Sequence, residues 1–271
     1  MAELITIDDS GDPRLDDFRD LSTADRRPDR PGGRGLVIAE GAVVVERLLK
    51  SRYPVRALLG VERRFRELSD ELDGVDVPCY VTSAEMMADV VGFHLNRGVL
   101  AVADRPVPAP AVEEIVDGAR VLAILEGVGD HENLGSLFRN AAALGVDGIL
   151  LGAGCSDPLY RRGVRVSMGH VLRVPFATFD SWPGDLELLR ENGFRIAALT
   201  PRADSVSLRQ LRDQTPEKVA LMLGAEGAGL SEEAIAAADL AVRIPMPDGV
   251  DSLNVATAGA IAFYETRPPL S

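Results

Sequence analysis

At 271 residues, with 46% hydrophobic and 26% charged side chains, the chain can bury a sizeable core in one or two domains and is too apolar for wholesale disorder. A net charge of -13 excludes a generally cationic nucleic-acid binder. Residues 1–110 carry 15 basic and 20 acidic side chains and residues 111–271 carry 14 and 22, so any RNA face must be local. Cys79 and Cys155 are too few for a disulfide framework and lack metal-site spacing, which leaves them as small buried hydrophobes. The opening MAELITIDDSGDP has no basic region followed by an apolar core, and the apolar runs elsewhere are too interrupted for a membrane span. A soluble cytoplasmic protein is expected.

In chain order, Leu4 to Ile7 predicts a short strand. Asp8 to Gly33 is dense in Asp, Arg, Pro and Gly and reads, within 1–34, as a flexible exposed arm with one helical turn around Leu15–Leu21. Its arginines (Arg14, Arg19, Arg26, Arg27, Arg30, Arg34) are interleaved with aspartates, a pattern of a solvated face more than of a phosphate groove. From 35 to 105 strands and helices alternate: GLVIA, a helix ending before Pro54, VRALLGV, a charged helix over Glu62–Leu72, VDVPCYV, a helix capped by Ser83, and GVLAVAD. This predicts a small α/β domain. Arg52, Arg56, Arg63, Arg64 and Arg66 could approach RNA, although a solvated helix face is the stronger reading of them. Pro106, Pro108 and Pro110 mark a linker, placed at 106–118.

The second part, 119–271, opens with an apolar strand over Arg120–Leu125. A helix over Asn133–Ala143 with Gly145 beyond its end follows, then the strand in VDGILLGAG. Asn133 and Arg139 are six positions apart and do not share one ideal helical face. Arg161, Arg162 and Arg165 beside Tyr160 are the best local exception to the acidic average. A helix over Leu186–Asn192, the strand FRIAALT, a strand over Val219–Gly224, a helix capped by Ser231 and the strand LAVRIP complete a largely parallel sheet. Gly224, Gly227 and Gly229 permit close backbone approach, but GAEGAG is neither a Walker phosphate loop nor a convincing dinucleotide fingerprint. The chain then turns through Pro245, Pro247, Asp248 and Gly249, presents Ser252 and Asn254, and enters an Ala-rich helix near Val255. Ser252 and Asn254 could simply cap that helix. Three junctions of this kind nevertheless suggest a composite pocket.

NLGSLFRNAAALG, LMLGAEGAGL and IPMPDGVDSLNVATA, in that order, resemble the three signature segments of the SpoU, or TrmH-like, branch of the SPOUT RNA methyltransferases. The region 35–105 resembles the small L30e-like substrate-binding domain found before the catalytic domain in many members. The resemblance implies an α/β fold whose C-terminal SPOUT domain has a mostly parallel sheet and a C-terminal trefoil knot, a topology that general rules disfavour. It also implies a homodimer formed through that domain, acting on RNA, ribosomal RNA ahead of transfer RNA, with no DNA or membrane partner. The reaction implied is methylation of a ribose 2'-hydroxyl by S-adenosyl-L-methionine, without a metal. The alternative is a noncatalytic RNA-binding or ribosome-assembly protein that keeps the fold.

Carried over by motif, the resemblance places Asn133 and Arg139 in the first signature, Glu226 in the second, and Ser252 and Asn254 in the third. Arg139 leads as the catalytic residue. Because a guanidinium stays protonated, positioning and electrostatic stabilisation are its safer roles. The cofactor positions implied are Leu199 and Thr200, Leu223, Gly224, Ala225 and Gly227, Ile244, Pro245 and Met246, and Ser252 with Leu253. Met246 alternatively fills core space. His131 stands where relatives often have proline, and Ala256 where they often have serine.

Overall fold

The computed structural model describes residues 2–19, 21, 35–105, 108–213, 217–250 and 252–266. It divides into two compact units, Met1–Pro108 with Leu159–Arg173, and Ala109–Pro158 with Val174–Ser271.

In the first unit, β1 (Leu4–Thr6) is followed by a 3-10 helix over Pro13–Phe18. Then come β2 (Val37–Glu40), α1 (Ala42–Leu49), β3 (Val55–Gly60), α2 (Glu62–Glu67) and α3 (Ser69–Leu72). β4 (Cys79–Val81), α4 (Ala84–Val91) and β5 (Val99–Ala103) close the series. The sheet order is β1-β4-β3-β5-β2, with β4 parallel to both neighbours and β5 antiparallel to both of its own. β2 and β5 are buried along their whole length, as expected of continuous apolar runs covered on both faces. Ser83 caps α4 by accepting from the Met86 amide, as the sequence predicts, and Gly92 ends it in the left-handed region.

The exposed arm expected over 1–34 is not what its described residues form. Ile7, Leu15, Phe18 and Leu21 are buried in one core with Ile38, Leu59, Tyr80 and Leu100, and Phe18 meets the Tyr80 ring edge-on at 6.5 Å. Leu15, Phe18 and Leu21 recur every third position among the charges, so burial of one face overrides the polar average. Arg26, Arg27, Arg30, Arg34 and Pro106 lie outside the described residues. Arg63 and Arg64 both pair with Glu67, and Arg66 pairs with Glu62, so the solvated reading of this helix accounts for them.

The second unit begins with α5 (Val112–Val116), then β6 (Val121–Glu126), α6 (His131–Leu144) and β7 (Gly148–Leu151). α7 (Arg161–Val166) comes next and belongs to the first unit. The second unit resumes with β8 (Phe176–Thr178), α8 (Leu186–Glu191), β9 (Arg195–Leu199), β10 (Val206–Ser207) and α9 (Leu208–Asp213). β11 (Val219–Gly224), α10 (Glu232–Ala236), β12 (Leu240–Arg243) and α11 (Val255–Thr266) complete it. Its seven-stranded sheet has the order β10-β12-β9-β11-β6-β7-β8, and every pairing is parallel.

Two boundaries differ from those the sequence suggested. The linker expected at 106–118 contains α5, whose Val112, Ile115 and Val116 share a core with Leu122, Leu150 and Ala177; three apolar side chains on one helical face outweigh the preceding prolines. Leu159–Arg173 groups with the first unit although it lies inside 119–271. There Arg47 donates to the Met168 carbonyl, Arg161 lies 4.5 Å over the Phe93 ring, and Arg161 and Arg165 reach Glu40 at 3.5 and 3.9 Å. Burial lowers the Arg161 pKa despite the Glu40 carboxylate.

If the N-terminal turn is part of the first core, Phe18→Ala will destabilise the protein by about 3–5 kcal/mol in denaturant unfolding. A loss below about 1 kcal/mol would return Pro13–Phe18 to the status of a surface arm.

Candidate active site

The parallel sheet of the second unit brings the carboxyl ends of β12, β9, β11 and β6 side by side. In open α/β sheets this is the edge at which ligands bind. Leu199 and Thr200 leave β9, Leu223 to Ala225 leave β11, and Ile244 to Met246 leave β12. The Thr200 amide donates to the Val242 carbonyl at 2.9 Å, which ties two of these ends together. The strand-end positions named from the sequence therefore lie along one edge.

The loop after β11 folds back on its own stem. Ala225 and Gly229 form an isolated antiparallel bridge, with the Gly229 amide 3.0 Å from the Ala225 carbonyl. A Cβ on Gly224 would sit 2.2 Å from the backbone of Gly229 and Leu230, so only glycine permits this closure. Gly227, at φ 83°, takes the tip through the left-handed region. The result is a tight turn that leaves Glu226 exposed.

Asn254 joins this loop to the other two junctions. Its Oδ1 accepts from the Ala256 and Thr257 amides at 3.0 and 3.1 Å, capping α11. With the oxygen committed to those donors, the amide nitrogen faces outward. Nδ2 donates to Asn133 Oδ1 at 2.8 Å and to Glu226 Oε1 at 2.5 Å. Capping and site assembly are thus one arrangement, not alternatives. Asn133 is held in turn by the first turn of α6, where Asp130 accepts from the Glu132 and Asn133 amides at 2.5 and 3.3 Å.

Below this cluster α6 and α11 pack closely. A Cβ on Gly259 would fall 2.5 Å from Leu137 Cδ2, and Asn140 Nδ2 donates to the Ala256 carbonyl at 2.9 Å. Asn140, seven residues after Asn133, faces α11, whereas Arg139 is roughly 120° away around the helix from Asn133. Arg139 is exposed and, among the described residues, makes no hydrogen bond or ion pair. Asn133, Glu226 and Asn254 are brought into contact, while Arg139 is not bonded to them. Ser252 and Leu253 are exposed in the segment leading to α11.

Reading the sequence missed Glu126, the residue that ends β6. Its carboxylate accepts from Trp182 Nε1 at 2.6 Å, from Ser231 Oγ at 2.8 Å and from the Ser231 amide at 2.8 Å. The available signal was a lone charge closing the apolar run VLAILE. Cys155 lies near this strand end, its Sγ 3.2 Å from the Leu125 carbonyl, and burial pushes its thiol pKa up. Burial raises that of Cys79 to about 11, which makes both poor nucleophiles at neutral pH. Among the described residues no group of His, Cys, Asp and Glu has the arrangement of a metal site, and no helix is long and apolar enough to cross a membrane.

A parallel α/β sheet with a folded-back glycine loop and an Asn–Asn–Glu cluster at its carboxyl edge defines a ligand-binding domain of the open-sheet class. The model of the SpoU rRNA Methylase family matches residues 120–264, which include β6, β9, β11 and β12 and the loops that follow them. The uncharacterized tRNA/rRNA methyltransferase Rv0881 of Mycobacterium tuberculosis is 58% identical over 258 residues, 95% of this chain and 89% of that protein. The Bacillus subtilis 23S rRNA (guanosine(2553)-2'-O)-methyltransferase RlmP is 28% identical over 96% of this chain and 98% of its own. An AdoMet-bound rRNA methyltransferase from Sinorhizobium meliloti superposes with a TM-score of 0.80 at 24% identity, over 97% of each chain. The chain belongs to the SpoU rRNA Methylase family and is an RNA methyltransferase.

The two functions of Asn254 can be separated. Asn254→Ala is expected to cost about 1 kcal/mol through the lost cap. Asn254→Asp keeps an acceptor for the α11 amides and places a favourable negative charge at the helix start, so it should recover the cap's contribution to thermal stability, less the repulsion between its second oxygen and the exposed Glu226 carboxylate. Both variants lose the donors to Asn133 and Glu226, and both should lose methyl transfer. An Asp variant with parental turnover would separate the cluster from activity.

Proposed function

We propose that this methyltransferase transfers the methyl group of S-adenosyl-L-methionine to a ribose 2'-hydroxyl of ribosomal RNA. The observation that carries the reading is the bridge from Asn254 to Asn133 and Glu226 beside the carboxyl edge of the sheet. The 2'-O reaction and the ribosomal substrate are those of the B. subtilis relative's name. The donor is the ligand named for the S. meliloti protein.

The residues present suit this donor. Leu199, Thr200, Leu223, Gly224, Ala225, Gly227, Ile244, Pro245, Met246, Ser252 and Leu253 would hold it, chiefly through strand-end backbone groups. Those can recognise a purine by hydrogen bonds, without a charged side chain. The bound donor supplies a methyl group already activated on a sulfonium, so the protein's task is alignment. Glu226 and Asn133, fixed by Asn254, would orient the ribose side of the site, and Ser252 would contact substrate at its mouth. Arg139 would grip the RNA phosphate and ribose; being permanently protonated, it acts by positioning and by stabilising developing negative charge.

In this reading the C-terminal domain carries the trefoil knot of SPOUT proteins and pairs with a second copy to form a homodimer. The exposure of Ile261 and Tyr264, 36% and 55%, on α11 supports that pairing. The region 35–105 serves as an L30e-like RNA-binding domain, and the protein works in the cytoplasm.

Calorimetry with the purified protein should detect S-adenosyl-L-methionine binding, and no binding even with RNA present would remove the cofactor assignment. Arg139→Ala should bind the donor as the parent does yet transfer methyl groups roughly 10²–10⁴-fold more slowly. Unchanged turnover would remove Arg139 from the site.

A further inference from the structure

Glu126 is 9% exposed and has no part in the chemistry above. It stands at the carboxyl end of β6, the strand beside β11, and its two oxygens accept three hydrogen bonds from distant segments. One comes from Trp182, 56 residues on, and two from Ser231, 105 residues on. Ser231 follows the folded-back loop directly and also caps α10, its Oγ accepting from the Ala234 amide at 3.1 Å.

The loop that presents Glu226 is therefore held at two feet. One is Gly224, where there is no space for a side chain. The other is Ser231, whose amide and hydroxyl both end on the Glu126 carboxylate. The indole of Trp182, which donates to the same Oε1 as the Ser231 hydroxyl, packs against Gly152, where a Cβ would meet the ring at 2.8 Å. Gly127, next to Glu126, faces Ala225 so closely that a Cβ would lie 3.1 Å from the Ala225 methyl. The carboxylate thus joins the loop, through Ser231, to the indole, through Nε1.

We propose that Glu126 is a positioning residue for the methyl-transfer site, fixing the height of the Gly224–Leu230 loop over the sheet edge and linking it to Trp182. This rests on the reading of that edge as the S-adenosyl-L-methionine site. The link requires a carboxylate. A glutamine offers one acceptor oxygen and one amide donor, so either the Ser231 amide or the Oε1 pair of donors would confront an N–H. Leaving a buried donor unmatched costs enough to alter affinity by roughly tenfold or more.

Trp182 is the sole tryptophan among the 271 residues, so tryptophan fluorescence reports on the surroundings of this one indole, the Glu126 bond among them. The full chain is titrated with S-adenosyl-L-methionine while indole emission is followed, and transfer to ribosomal RNA is measured in parallel. The parent should show saturable binding accompanied by a change in emission. Glu126→Gln should bind the donor at least about tenfold more weakly, with altered resting emission and a reduced response to donor, while the far-ultraviolet circular dichroism stays that of the parent. Trp182→Phe keeps a ring beside Gly152 and loses one of the three bonds. Its weakening, read by calorimetry, should be smaller than that of Glu126→Gln, and this holds the test open if the latter fails to fold. A parent that binds no donor overturns the proposal together with the reading beneath it. A parent that binds, with both variants binding and turning over at parental values, overturns the positioning role alone.

Discussion

The second unit depends on one side-chain amide being used at both ends. Asn254 gives its oxygen to the free amides that begin α11 and its nitrogen to residues from two other segments. A helix start must satisfy its first N–H groups somehow. Here the satisfaction fixes the amide's orientation, so the two remaining donors point where Asn133 and Glu226 can be held. Aspartate, serine or threonine would cap as well; among these common caps, asparagine alone also offers two donors on the other side.

The sheet supplies the second constraint. Its parallel strands present their carboxyl ends along one edge, and the loops from β9, β11 and β12 share it. Gly224 allows the β11 loop to fold onto itself, and Gly259 allows α11 to approach α6. These are close approaches of backbone and small side chains, and they bring a polar cluster to the end of a packed core. Arg139 stands on another face of α6. A substrate that reached both groups would span that part of the helix surface, as a nucleotide with its flanking phosphate can.

Much of this was legible in the sequence because it is local. Ser83, Gly145 and Ser231 stop or start helices where the sequence places them, and the apolar runs became the central strands. Helical spacing also separated Arg139 from Asn133 correctly. What stayed hidden is nonlocal or short. Glu126 reads as a strand terminus until Trp182 and Ser231 meet it. β8 and β10 are three and two residues long, too short to show periodicity. Phe18 and its neighbours are sparse among charges, so composition concealed a packed turn. The grouping of Leu159–Arg173 with the first unit depends on Glu40 and Phe93, more than sixty positions away, and no local pattern encodes that.

The central claim is that three segments, closed by one asparagine, make a site that methylates ribose in RNA. The most direct measurement takes ribosomal RNA from cells lacking this protein, incubates it with purified enzyme and S-adenosyl-L-methionine, and maps 2'-O-methylation at nucleotide resolution. The account predicts stoichiometric methylation at a defined ribose that is unmodified before incubation. Methyl groups appearing on bases instead, or no transfer to RNA that the donor-loaded protein demonstrably binds, would contradict it.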